Sequence, residues 1–309
     1  MPAVLARRAL AEFTGTAFLV AAVVGSGIAA TRLSPNEVGL ELLENSVVTG
    51  AVLVALILTL QPVSAAFNPV VTLVERALDA VTTRQAGVLI VAQIGGGFAG
   101  AVVANLMFGL PAVTISAHHR AGAGIWLGEV VATLGLLVVI FGTVRSGRAD
   151  RVAYAVGLYI LAAYWFTSST SFANPAVTIA RMFSDTFAGI APGSAVMFVV
   201  MQLAGGVLGY ALIRLLYPNA AAVAARMAGR SDPARSVPAV PGAAGPGAAG
   251  PGAAGPGAAV PGAAGPGAAG SGAAGPVAGI PASDGSVTGG PGMTVRDEAD
   301  VVRTDVHSR

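Results

Sequence analysis

Asn68-Pro69-Val70-Val71-Thr72, followed by Asp79, returns 106 residues later as Asn174-Pro175-Ala176-Val177-Thr178, followed by Asp185. Both copies sit between long apolar runs. In each, the Asn can cap a helix while Pro takes the first helical position, where a missing N–H costs nothing. A short helix is therefore predicted to start at each box. The match extends outward in the same order: Gln93-Ile94-Gly95-Gly96-Gly97 with Gly100 is echoed by Gln202-Leu203-Ala204-Gly205-Gly206 with Gly209. Glu12 ahead of the first box is matched by Glu129 ahead of the second. Three ordered matches mark an internal repeat.

The runs around the boxes decide the solvent. Of 309 residues, 54% are apolar and 10% charged, against roughly 25% charged in an average soluble domain. A water-soluble globule is excluded as the ordinary reading, and a polytopic helical membrane protein takes its place. Six spans are predicted, at about 9–30, 45–60, 86–108, 125–144, 152–166 and 194–216. The first is too long for a signal-peptide core and carries Glu12, so it is read as a retained span. Each repeat then holds three spans and one short segment. An odd number of spans forces the second copy to insert upside down. The inverted repeats run from about 8 to 108 and from 125 to 217, within a channel domain over 1–217.

Loop charge sets the orientation. Arg7, Arg8, Arg76, Arg84, Arg145, Arg148, Arg151 and Arg214, joined by Arg226, Arg230 and Arg235, fall on one side of the alternating loops. The other side holds Arg32, Arg120 and Arg181. That bias places both termini in the cytoplasm of a multi-pass cell-membrane protein. Residues 218–309 are rich in Gly, Ala and Pro, with Pro-Gly-Ala-Ala-Gly repeats; such a composition buries too little area to offset backbone ordering and is read as a disordered cytoplasmic tail. The chain has no Cys, which excludes disulfides and thiolate sites. A net charge of +2 is no nucleic-acid footprint. Nucleophile, metal cluster and phosphate-cradling loop are all missing from the pattern, so neither an enzyme nor a cofactor is expected.

Half-helices that enter from opposite faces bring their N-termini together near the bilayer midplane, each carrying roughly +0.5 of an elementary charge. Protons and cations are repelled there. The Asn68 and Asn174 amides can donate to a passing neutral solute, and carbonyls of the residues before each Asn, read as extended, can accept from it. At these residues the chain resembles the major intrinsic protein family, the aquaporins and aquaglyceroporins, over roughly residues 8 to 217. The resemblance implies an all-α membrane fold of six transmembrane helices plus two re-entrant half-helices. It also implies a homotetramer in the lipid bilayer and passive permeation of small neutral solutes.

Two departures bear on selectivity. Val70 stands where the family usually has Ala, and Val177 stands where water and glycerol channels place an Arg of the outer constriction. The other constriction positions map to Val48 or Thr49 on the second span, Ala162 or a near neighbour on the fifth, and Ser171. All are small, which predicts a wide and weakly polar constriction. The pattern is similar to a bacterial branch associated with the trivalent metalloids arsenite and antimonite, with glycerol, urea or water as further candidates. An ion-coupled secondary transporter with inverted repeats, a water-selective channel and a membrane anchor for the tail are the competing readings.

Single residues carry their own alternatives. The resemblance implies that Glu12 and Glu129 accept hydrogen bonds from the irregular segments ahead of the half-helices, a structural role preferred to a proton relay. Arg181 lies one helical turn beyond Val177 toward the outer mouth. It is either a displaced constriction residue or a partner of Asp185 or of the interface. His118 and His119, beside Arg120, are read as a solvated loop. The repeated glycines are read as sites of close helix packing.

Overall fold

A computed structural model describes residues 3–217. The Gly/Ala/Pro-rich stretch from 218 onward, with Arg226, Arg230 and Arg235, lies outside the described residues. Within them the chain forms α1 (Ala3–Leu33), α2 (Val38–Leu60), α3 (Pro69–Ala77), α4 (Thr83–Met107), α5 (Ala123–Arg145), α6 (Val152–Phe166), α7 (Pro175–Arg181) and α8 (Pro192–Leu216). No strand occurs among the described residues. α1, α2, α4, α5 and α8 are each long and apolar enough to cross a membrane. α6 has 15 residues and is lengthened at its start by a 3-10 turn, Ala149–Arg151.

The six spans are those the sequence predicts, with longer ends. α1 begins at Ala3 and α2 at Val38, because helix geometry continues past the apolar stretch into segments that carry Arg7, Arg8 and Glu41. The half-helices α3 and α7 start at the expected prolines. Asn68, at φ −149°, accepts the Val70 N–H, and Asn174 accepts the Ala176 N–H. The approach to each Asn departs from expectation. Phe67 and Ala173 are not extended but left-handed, at φ 48° and 49°, as is Ser171 at φ 50°. Non-glycine residues pay of order 1–3 kcal/mol for such backbone, which persists only where the surroundings hold it.

Packing follows the repeat. α1 lies along α4 and α5 along α8. A Cβ at Gly96 would overlap the Phe13 backbone, and one at Gly100 the Ala17 backbone; a Cβ at Gly205 would sit 2.7 Å from the Val130 carbonyl. The glycines are there because the backbones touch. α2 and α6 cross in the same way at a pair the repeat reading did not single out, where a Cβ at Gly157 would sit 2.6 Å from the Gly50 carbonyl. Leu10, Phe18, Val91, Leu158 and Val207 point outward and are well exposed, as suits side chains whose solvent is hydrocarbon. α3 and α7 meet in the middle of this frame.

Candidate functional site

Two buried carboxylates position everything else. Glu12 on α1 and Glu129 on α5 are both fully buried, a placement that costs several kcal/mol unless hydrogen bonds replace the lost water. Glu12 receives the Ser64 hydroxyl at 2.5 Å, the Ala66 N–H at 2.9 Å, the Phe67 N–H at 2.7 Å and the Gln93 amide at 2.8 Å. Glu129 receives the Phe172 and Ala173 N–H groups at 2.9 and 3.0 Å and the Gln202 amide at 2.6 Å. The backbone donors lie in the turned segments ahead of α3 and α7, so each carboxylate holds the strained backbone in place. Gln93 and Gln202 also donate to Thr72 and Thr178 on the half-helices, at 2.9 and 2.8 Å. Sequence reasoning found these Gln and Thr as repeat partners and missed that they tie the glutamates to the boxes.

The turned backbone aims two carbonyls across the centre. The Asn68 amide donates to the Ala173 carbonyl at 2.8 Å, and the Asn174 amide donates to the Phe67 carbonyl at 2.7 Å. Each half-helix cap is thus stapled to the other repeat. A primary amide carries two N–H donors, so one per Asn is left for the lumen. Asn68 and Asn174 both line the central cavity. Pro69, Val70, Pro175 and Ala176 are buried behind them. The extra methyls of Val70 point at Gly206, where they fill the gap that glycine leaves and do not narrow the lumen.

The cavity runs from Arg8, Gln61 and Glu75 on the N-terminal side to Thr49, Tyr164 and Arg181 on the opposite side. Its greasy wall comes from Leu19 and Val23, Leu53 and Ile57, Leu136 and Ile140, and Val156 and Ile160. Asn68, Ser171 and Asn174 face it with polar groups. Beyond lies a vestibule bounded by Asn45, Arg120, Thr170 and Phe187, and Tyr164 and Arg181 line both spaces. Those two side chains form the partition.

The mapped constriction positions divide accordingly. Thr49, Ser171 and Val177 line the cavity, and the Ser171 hydroxyl is buried with no protein partner. Val48 is 42% exposed on the outward face of α2 and takes no part, because the neighbouring residue on a helix points about 100° away. Ala162 is likewise exposed. The lumen face of α6 runs through Val152, Val156, Ile160 and Tyr164 at four-residue steps. The near neighbour Tyr164, not Ala162, therefore lines the lumen, and the expectation of small groups throughout is corrected. The Tyr164 phenol lies 3.2 Å from the Thr49 hydroxyl. The signal that could have found it is the four-residue period of α6.

Arg181 neither pairs with Asp185 nor reaches for the interface. It is 3% exposed, donates through Nε to the Ala188 carbonyl, and holds its guanidinium 3.5 Å from the centre of the Phe172 ring. Asp185 instead accepts the Ala117 N–H at 2.9 Å. Arg120 stands on the same ring at 5.4 Å and donates to the Phe187 and Gly189 carbonyls. His118 and His119 are exposed.

The major intrinsic protein family matches residues 2–163 and 147–240. The aquaglyceroporin AqpS of Rhizobium meliloti (strain 1021) is 48% identical over 213 residues, which cover 69% of this chain and 91% of that protein. The X-ray structure of the aquaglyceroporin from Plasmodium falciparum aligns with a TM-score of 0.55 over 70% of this chain and 98% of its own, at 20% identity; it speaks for the fold.

Replacing Glu129 by Leu strands two backbone N–H groups and the Gln202 amide in a dry interior, at about 1–3 kcal/mol for each unmet donor. Glu129→Leu should unfold in detergent at a much lower temperature than the parent, and Glu129→Gln at an intermediate one. Equal thermal midpoints for Glu129→Leu and the parent contradict the positioning role.

Proposed function

The chain belongs to the major intrinsic protein family, and from that premise we propose that it is a passive channel whose favoured cargo is a neutral metalloid hydroxide, undissociated arsenite or antimonite, with glycerol, urea and water as further solutes. Channels of this family pass small neutral solutes through a membrane, and the aquaglyceroporin relative supports that coarser reading. The two-sided lumen carries the finer one. A small solute with hydroxyls on its rim can exchange hydrogen bonds with Asn68, Ser171 and Asn174 while its remaining surface slides along aliphatic side chains. An ion meets the same aliphatic wall and cannot replace its hydration shell there.

The selectivity constriction in this reading consists of Thr49, Tyr164, Ser171, Val177 and Arg181. Val177 leaves the family's arginine position apolar, and Arg181 supplies a guanidinium about 5.4 Å, one turn, farther along α7. A stack on Phe172 and a bond to Ala188 hold that guanidinium to one side, so it can donate to a hydroxyl without closing the lumen. Ion-coupled transport is the weaker reading, because the paired carboxylates Glu12 and Glu129 already accept several protein donors each. The outward apolar faces fit lipid and a homotetramer, and the arginine distribution fits cytoplasmic termini.

Uptake of arsenite, glycerol and water into proteoliposomes tests the cargo. The parent should carry all three. Val177→Arg should cut arsenite and glycerol flux by about tenfold, the effect of ~1.4 kcal/mol on a barrier, and water flux by less; Arg181→Ala should raise glycerol relative to water. A parent that passes water but neither larger solute contradicts the wide-filter reading. Protease added outside intact cells should leave a tag after Arg309 untouched, and its digestion from outside overturns the orientation.

A further inference from the structure

The mouth of the cavity on the N-terminal side is built from the repeat counterparts of the filter. Glu75 follows Asn68 by seven residues, as Arg181 follows Asn174. Gln61 and Val152 stand 103 residues from Tyr164 and Thr49 respectively. All six line the same lumen, the two sets at opposite ends. Where one end presents a phenol, a hydroxyl and a guanidinium, the other presents an amide, an isopropyl group and a carboxylate.

Structural need does not account for Glu75. It is 4% exposed and lies near the C-terminal end of α3, where the helix dipole opposes a negative charge and favours the cation that α7 places there. No salt bridge joins it to any cation among the described residues. Burial acts on its carboxyl group most strongly, ahead of the charges of Glu12 and Arg8, and Glu12 is saturated by its own donors. Arg8, itself 7% exposed, faces the same cavity with its Nε buried and unpartnered among the described residues. A carboxyl group and a donor-only guanidinium thus share one lumen with no salt bridge between them. Ionisable groups in such a place are retained for what passes them.

We infer that Glu75 and Arg8, with Gln61 beside them, form a second selectivity station that binds polyhydroxylated neutral solutes at the mouth opposite Arg181. A hydroxyl donates to a Glu75 carboxyl oxygen while another oxygen of the same molecule accepts from Arg8, a charge-assisted bond. A solute with several hydroxyls spans the two groups, whereas a single water satisfies one at a time. The inference rests on the chain being a channel for small neutral solutes.

Stopped-flow light scattering on proteoliposomes, with glycerol and water permeability measured on the same preparation, tests it. The glycerol-to-water ratio does not depend on how much of the protein is folded. Glu75→Leu should lower that ratio by about tenfold, as for one lost hydrogen bond. Glu75→Gln, nearly isosteric and still an acceptor, should lower it less, and Arg8→Gln should lower it too. Should Glu75→Leu conduct nothing, Glu75→Gln decides. A parental ratio in Glu75→Gln and Arg8→Gln overturns the station and leaves the channel standing, as does a parent that passes water but excludes glycerol. A parent that conducts neither overturns the channel reading itself.

Discussion

The molecule depends on two carboxylates that have no water. Glu12 and Glu129 are each buried at a cost that only a full set of donors offsets, and those donors belong to the backbone just ahead of the half-helices. Satisfying the charge and fixing the left-handed turn are therefore one event. Once Phe67 and Ala173 are turned, their carbonyls point across the centre and accept the opposite Asn amide. The caps, the half-helices and the free amide N–H groups follow from that. The glycine contacts between α1 and α4, and between α5 and α8, bring the helices close enough for Gln93 and Gln202 to complete each carboxylate's shell.

The lumen inherits this arrangement and adds chemistry at its ends. Its middle is symmetric in kind, with Asn68 and Asn174 against aliphatic side chains from both repeats. Its ends are not. The same helical position, one turn beyond Val71 or Val177, carries Glu75 on one side and Arg181 on the other. Duplication sets the frame, and divergence at a few lumen positions sets the chemistry of its two ends.

Much of this was legible in the sequence because membrane folding leaves few options. Long apolar runs must be helices, the Asn-Pro boxes must start new ones, and parity makes the repeats inverted. The paired glutamates stood out because charge in an apolar span demands a partner. Side-chain direction was harder to read. Val48 and Thr49 are adjacent, and only the packing of α2 on α6 turns Thr49 inward; Ala162 and Tyr164 differ by two residues and by about 200° of helix rotation. The four-residue spacing left pairing of Arg181 with Asp185 open beside a constriction role, but α7 ends at Arg181, so that spacing does not place them on one face. The left-handed turns are set by Glu12 and Glu129 from far along the chain, and no local rule predicts them at Phe67 or Ala173.

The central claim is that two half-helices meeting N-terminus to N-terminus pass neutral solutes and refuse protons. Proteoliposomes loaded with a pH-sensitive dye, given a glycerol gradient and a pH gradient together, report both fluxes from one sample. The account predicts rapid glycerol entry with proton leak no greater than in protein-free vesicles. Proton flux that rises in step with the amount of channel in the membrane contradicts it.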